Sequence, residues 1–284
     1  MVLEFTVVNA TKLRQAVDAL PAGKLRYVIL MWSPQFFAIQ CFLDQRLPAG
    51  QNPTALLKLA PESFSEYKST DDFYHAAVDF VDLMTLLNLT DTGDTIRFSE
   101  MAEPIASSPN PLGFLCAHVS TPAQDDPEEE ITFMVELKIY GHLPEKMLRS
   151  ADVSHDPSSS PLPPVATFVA LAFFKMMALI NPSNEEPVTI TAAQGRVFFN
   201  LVGKPLKDSL VMKAEGGLIS QRGDIVGANM VHCVIPMKYV DVFQTTDLSS
   251  EVSLYRRPAG ATLLWFKLDP PLTFLHGDLI HYFD

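Results

Sequence analysis

Apolar and polar residues alternate from Leu3 to Val7, the period of two that a half-buried strand requires. The pattern then shifts to a helical one: Leu13, Ala16, Val17 and Leu20 fall at i, i+3, i+4 and i+7, with Asn9 placed to cap the first turn. Two strand patterns follow, Arg26–Met31 and Phe36–Phe42, around a Ser33, Pro34, Gln35 turn. Further on, Phe73–Val78 reads as a strand and Val81–Leu89 as a short amphipathic helix, leading through a polar turn into another strand. After a break the same order returns. Pro163–Ile180 reads as a helix, followed by Val188–Ala192 and Arg196–Leu201 around Gln194 and Gly195, and then a strand at Met230–Ile235.

The recurrence has a gapless part. Residues 81–99 and 237–255 align at a constant offset, so Leu83 falls on Tyr239, Leu86 on Val242, Leu87 on Phe243, Asp91 on Asp247, Ile96 on Val252 and Phe98 on Leu254. Each stretch predicts a short helix, a polar turn and a strand. A unit of this length points to a doubled domain, because solenoid repeats are only about 20–50 residues long. Between the halves, Thr121–Glu130 is acidic and Ala151–Pro164 is rich in Ser and Pro, both loop or linker signals, with a strand-like Ile131–Ile139 between them.

Composition narrows the class. The chain has 284 residues, 48% of them hydrophobic and 19% charged, enough apolar material for packed cores. Val165–Ile180 is almost wholly apolar but contains Lys175 and is shorter than the roughly 20 residues of a membrane span, so a buried helix is expected and no membrane partner. The chain opens almost directly on a strand pattern, so no signal peptide is expected. Cys41, Cys116 and Cys233 are odd in number and widely spaced, which predicts reduced, buried thiols and an intracellular setting. The formal net charge of −12 opposes general affinity for phosphate backbones. Net charge is a sum, however, and binding depends on where the cations sit.

With these pieces in order, the sequence resembles the DNA sliding clamps typified by proliferating cell nuclear antigen and the eukaryotic checkpoint clamp. Residues 3–20 are similar to a clamp's opening strand and first helix, and 135–145 to the start of its interdomain connector. Residues 188–199 are similar to the first hairpin of its second domain. Tyr239, Phe243 and 248–254 resemble the last helix and following strand, and 277–283 the closing strand.

The resemblance implies an α+β fold: a duplicated clamp half-domain, with two pseudo-equivalent domains, each a curved antiparallel sheet carrying two helices on its inner face. The domains would span 1–135 and 151–284, with a connector at 136–150. It also implies a ring of three subunits around double-stranded DNA, with helices lining the hole, a clamp loader, and polymerases, nucleases and ligases tethered through short peptide motifs. Such a protein is nuclear in a eukaryote, acts in replication, repair or the damage checkpoint, needs no cofactor and is not an enzyme.

On this reading the DNA-facing candidates are Lys12, Arg14, Lys24, Lys175 and Lys238, with Arg14 where the family's first helix carries paired lysines. Ordinary solvated surface cations are the competing reading of each. The family's third helix usually offers arginines, but Ala170 and Phe173 stand there, and the second helix has Asp82 and no cation. So few cations tilt the expectation from a replicative homotrimer toward a checkpoint-type heterotrimer. By position, Cys41, Leu143, Pro144, His281 and Tyr282 are the candidates for a partner-peptide groove; Leu143 and Tyr282 also read as plain core or strand residues.

No phosphate loop, nucleophile elbow, H-E-x-x-H or paired C-x-x-C stands in the chain. His276, Asp278 and His281 make a compact H-G-D-x-x-H, but strand alternation would turn the two histidines to opposite faces. The adjacent His232 and Cys233 read better as strand residues than as a base and nucleophile. Two alternatives stay open at this level: a viral-type polymerase processivity factor of the same fold, and an enzyme whose site the sequence does not expose.

Overall fold

The structure is a computed structural model that describes residues 3–20, 27–42, 54–70, 73–101, 111–122, 130–140, 164–180, 187–193, 196–202, 210–213, 219–220, 231–235, 248–256 and 262–283. The chain divides into two compact units. Unit 1 comprises Met1–Asp44, Leu56–Asp152 and Asp269–Asp278; unit 2 comprises Gln45–Ala55, Val153–Leu268 and Leu279–Asp284.

Unit 1 runs β1 (Leu3–Val7), α1 (Ala10–Asp18), β2 (Tyr27–Ser33), β3 (Phe36–Phe42) and β4 (Thr54–Leu59, from Leu56 in this unit). It continues with β5 (Glu66–Ser69), β6 (Tyr74–Asp79), α2 (Phe80–Asn88), β7 (Thr95–Met101), β8 (Pro111–Pro122) and β9 (Glu130–Tyr140). Unit 2 runs β10 (Ala166–Val169), α3 (Ala170–Ile180), β11 (Val188–Ala193), β12 (Arg196–Leu201) and β13 (Leu210–Lys213). Then come β14 (Ile219–Ser220), β15 (Val231–Ile235), β16 (Glu251–Arg256), β17 (Thr262–Lys267) and β18 (Gly277–Phe283, from Leu279 in this unit).

Strand pairing repeats from one unit to the other. Unit 1 contains a five-stranded ribbon β5-β1-β7-β8-β9 and a four-stranded ribbon β4-β3-β2-β6; unit 2 contains β14-β10-β16-β17-β18 and β13-β12-β11-β15. Taking each strand in chain order, every neighbour in one unit has its counterpart in the other. Register agrees as well. The hairpins β2–β3 and β11–β12 each close over two residues, at Ser33↔Phe36 and Ala193↔Arg196. In the gapless offset, Ile96 pairs with Val7 on β1, and its counterpart Val252 pairs with Phe168 on β10. The chain is thus a duplicated antiparallel α+β fold. Among the described residues the ribbons of unit 1 are joined at Ala77↔Tyr140 and Val78↔Ile139, a join that unit 2 does not show there.

Packing follows the patterns that made these elements predictable. Phe5 on β1 lies 4.7 Å from Phe37 on β3, 5.0 Å from Phe64 and 4.7 Å from Phe98, centroid to centroid, and so holds the ribbons of unit 1 face to face. Phe168 and Phe199, on the corresponding strands β10 and β12, meet at 5.9 Å in unit 2. Burying one such ring contributes about 1.5–3 kcal/mol. The Tyr67 hydroxyl lies 2.8 and 2.6 Å from the Ser33 and Phe36 carbonyls, a donor against both ends of the first hairpin.

The helix starts have local causes. The Asn9 side chain accepts from the Lys12 amide at 3.0 Å, and Asp79 from the Val81 amide at 2.8 Å, each satisfying an N–H that a helix's first turn leaves open. One expected helix is shorter than its sequence pattern. The apolar run Pro163–Ile180 does not form a single helix; Ala166–Val169 is strand β10, and α3 begins at Ala170. Phe168 and Val169 are an aromatic and a β-branched residue, and pairing with β16 outweighs the helical period of the longer run. Thr121 and Pro122, expected in a linker, finish β8. The second-half helix expected from Met237 lies outside the described residues. Among the described residues no helix is long and apolar enough to cross a membrane.

Candidate nucleic-acid interface and partner surfaces

Helix α1 buries Ala10, Leu13, Ala16 and Val17; α2 buries Phe80, Leu83, Leu86 and Leu87. The turn that follows α2 is fastened to α1. Arg14 donates from Nη1 to the Thr90 carbonyl at 3.2 Å, and the Ala10 amide donates to the Asp94 carbonyl at 3.4 Å. Inside the turn the Asp91 amide donates to Asp94 Oδ2 at 2.8 Å, and Gly93 sits at φ +102°, where a side chain would be strained. Arg14, the residue placed best by sequence for DNA, therefore already bonds across two helices. Its charge also acts on Asp18, whose carboxyl pKa is raised by partial burial while Arg14 pulls it the other way.

Of the other DNA-facing candidates, Lys12 is half-buried on α1 and Lys175 is exposed on α3; Lys24 and Lys238 lie outside the described residues. The open face of α2 carries Val81, Asp82, Thr85 and Asn88 and no cation. On α3, Ala170, Phe173 and Met177 are buried, so the turns where the family carries arginines serve the core here. Lys175 shares its exposed face with Leu171 and Leu179, the latter 69% exposed. The described helix faces thus offer a phosphate three cations among apolar and acidic neighbours.

Among the partner-peptide candidates, Cys41 on β3 is wholly buried, and that burial pushes its thiol pKa well up. His281 on β18 is also buried, with its ring 5.7 Å from Phe266, and burial drives its pKa down to about 3. Tyr282 beside it is half-exposed, so of these three it alone presents its side chain to solvent. Leu143 and Pro144 lie outside the described residues. His276 is exposed while His281 is buried, and among the described residues no group of three or more His, Cys, Asp or Glu is placed to hold a metal ion. Cys116 and Cys233 are buried and not in disulfides.

Two edges went unseen in the sequence. β9 pairs with β8 from Glu130 onward, but on its other side it meets β6 only at Ile139 and Tyr140. From Glu130 to Lys138 that side has no partner strand among the described residues, and Ile131 and Met134 are exposed there. β13 in unit 2 pairs with β12 alone among the described residues, and Val211 on it is exposed. Alternation had located β9 as a strand; which of its sides stays open depends on distant partners, so a local pattern does not carry that information.

Doubled ribbons with helices in each half are the architecture of the sliding clamps, and this chain has that fold. A proliferating cellular nuclear antigen from Entamoeba histolytica superposes on it over 99% of this chain and 97% of that one, with a TM-score of 0.64 and 14% sequence identity. No family model matches the sequence, and no curated protein matches it.

Proposed function

We propose that this chain is a non-enzymatic sliding-clamp subunit that encircles double-stranded DNA within a three-subunit ring. The supporting observation is the pairing of duplicated halves with an open strand edge in each, β9 in unit 1 and β13 in unit 2. Two unlike edges suit a head-to-tail contact, and head-to-tail contacts close into rings when the rotation permits. Closure keeps the duplex inside, and phosphate contacts without sequence register let the ring slide.

Lys12, Arg14 and Lys175 are few for a hole lined three times over by the same chain, and Lys24 and Lys238 would add one cation each. Partner subunits that supply more positive charge remove that difficulty, so a checkpoint-type heterotrimer is favoured over a homotrimer. The domain limits follow the same reading: 1–135 and 151–284, joined by a connector at 136–150. A loader would open the ring, in the nucleus of a eukaryotic cell. Polymerases, nucleases or ligases would dock through short peptides near Leu143, Pro144 and Tyr282, with Cys41 and His281 as buried support, and gain effective concentration on DNA.

Light scattering coupled to size-exclusion chromatography tests the assembly, on the chain alone and mixed with paralogous clamp subunits. A 1:1:1 complex is expected, and Val211→Pro abolishes it by blocking the β13 edge. A chain that stays monomeric in every mixture refutes the proposal.

A further inference from the structure

The last segment of unit 1, Asp269–Asp278, forms a turn that holds a phenylalanine ring out in solvent. A one-turn helix, Pro270–Thr273, closes on Phe274, whose amide donates to the Pro270 carbonyl at 2.7 Å. Phe274 sits at φ +59°, in the left-handed region, and is the one non-glycine residue with positive φ among the described residues. Glycine takes that position after a helix freely, whereas a Cβ strains it. The ring gains no burial in return, for it is 66% exposed.

The backbone on either side is tied down. Thr273 and Leu275 are buried. The Thr273 hydroxyl lies 2.9 Å from the Asp269 carbonyl and 3.2 Å from that of Leu275, and it accepts from the Leu275 amide at 3.1 Å. The His276 amide donates to the Ser63 hydroxyl at 2.8 Å, and its carbonyl accepts from that hydroxyl at 2.8 Å and from the Ala60 amide at 2.7 Å. These bonds fix the chain around Phe274, and none involves its ring.

We propose that Phe274 is a preformed anchor that inserts into an apolar pocket on a partner protein, one ring wide and rimmed by Lys or Arg. A protruding ring needs a concave complement, and an aromatic side chain entering a desolvated pocket supplies much of the energy of such a contact. The fixed backbone lowers the ordering cost of binding. Charge beside the turn selects the occupant. Glu62, next to Ser63, is exposed, and Asp269, half-buried, opens the turn. Lys58, whose carbonyl abuts Gly277, sends its ammonium to the Phe36 ring, 5.2 Å from the centroid. Nucleic acid and anionic lipid would bring phosphates against these carboxylates, on a chain of net charge −12. A protein pocket with a basic rim is the better match. In the peptide groove proposed above this chain supplies the hole and the partner the anchor; here the roles reverse, and no groove residue takes part.

Site-directed cross-linking of the full-length chain tests this. Phe274→Cys is labelled with a benzophenone maleimide, since Cys41, Cys116 and Cys233 are buried, and irradiated in an extract of the cells that make the protein. The attachment site is mapped, and the captured protein is purified and titrated against the unlabelled chain and its variants. Attachment is expected among apolar residues of another protein with Lys or Arg beside them. Phe274→Ala should weaken binding by about tenfold or more, and Glu62→Lys by about threefold or more. The titration omits DNA and other clamp subunits, so failure of the ring reading leaves its outcome intact. Phe274→Gly should keep or raise the denaturation midpoint, because the ring does not serve the fold. Attachment only to nucleic acid, lipid or a second copy of the chain overturns the proposal, as does no attachment at all. So does an affinity indifferent to Phe274→Ala or to Glu62→Lys, or a lower midpoint for Phe274→Gly.

Discussion

Units 1 and 2 share a strand order and differ in what their helices present. In unit 1, α1 begins on an Asn9 cap and carries Lys12 and Arg14, and Arg14 is bonded to the turn after α2. In unit 2, α3 carries one cation, Lys175, among Leu171, Ala178 and Leu179. The ladders agree strand for strand, while the helix faces have diverged. This is the expected outcome when the sheet must keep its register to bury Phe5 or Phe168, and an exposed helical residue can change with little loss of stability.

Substitutions on corresponding strands probe that division, and the largest effects belong in the sheets. Phe5→Ala should cost about 3–5 kcal/mol in denaturant unfolding, since it removes the ring shared by Phe37, Phe64 and Phe98. Phe168→Ala should cost a comparable amount in unit 2; a much smaller loss would mean that the second half does not depend on the same inter-ribbon contact. Gly277→Ala comes next. An added Cβ would stand 2.0 Å from the Lys58 carbonyl oxygen, and relieving that backbone clash should cost about 1–3 kcal/mol.

Acid sensitivity should map to unit 2. His281 is neutral in the fold with a pKa near 3, whereas an unfolded histidine titrates near 6.5. The unfolded chain therefore binds more protons between those values, and the stability present above pH 6.5 drains away as pH falls toward 3, by up to about 1.4 kcal/mol per pH unit. Unfolding of His281→Phe measured from pH 7 to 4 should show a shallower slope than the unsubstituted chain. Equal slopes would contradict the burial argument. The smallest effect is Asn9→Ala, about 1 kcal/mol by loss of the α1 cap.

Much of this architecture was legible in local pattern. The alternation of Leu3–Val7 marked the first strand, the resemblance of 277–283 to a clamp's closing strand marked the last, and Asn9 marked the start of α1. The constant offset that sets Ile96 on Val252 carries the duplication in the sequence itself. Strand β10 was hidden inside an apolar run, because four residues of strand next to a buried helix leave no break in hydrophobicity. The site was less legible than the fold. Nothing near Arg14 in sequence indicates that its guanidinium reaches Thr90, 76 residues away, and nothing near Phe73 indicates that Phe36 lies beside it. Such juxtapositions come from register between distant strands and helices, which residue spacing alone does not encode.

Retention on circular DNA tests the account most directly. The chain, the paralogous clamp subunits proposed for it and a clamp loader are incubated with nicked circular plasmid, passed through a sizing column, and analysed again after the plasmid is cut once. A subunit of a closed ring should travel with the circle and be lost on linearisation, since nothing but topology holds it there. Equal retention before and after the cut, or none on the circle, would contradict the claim that this chain encircles DNA.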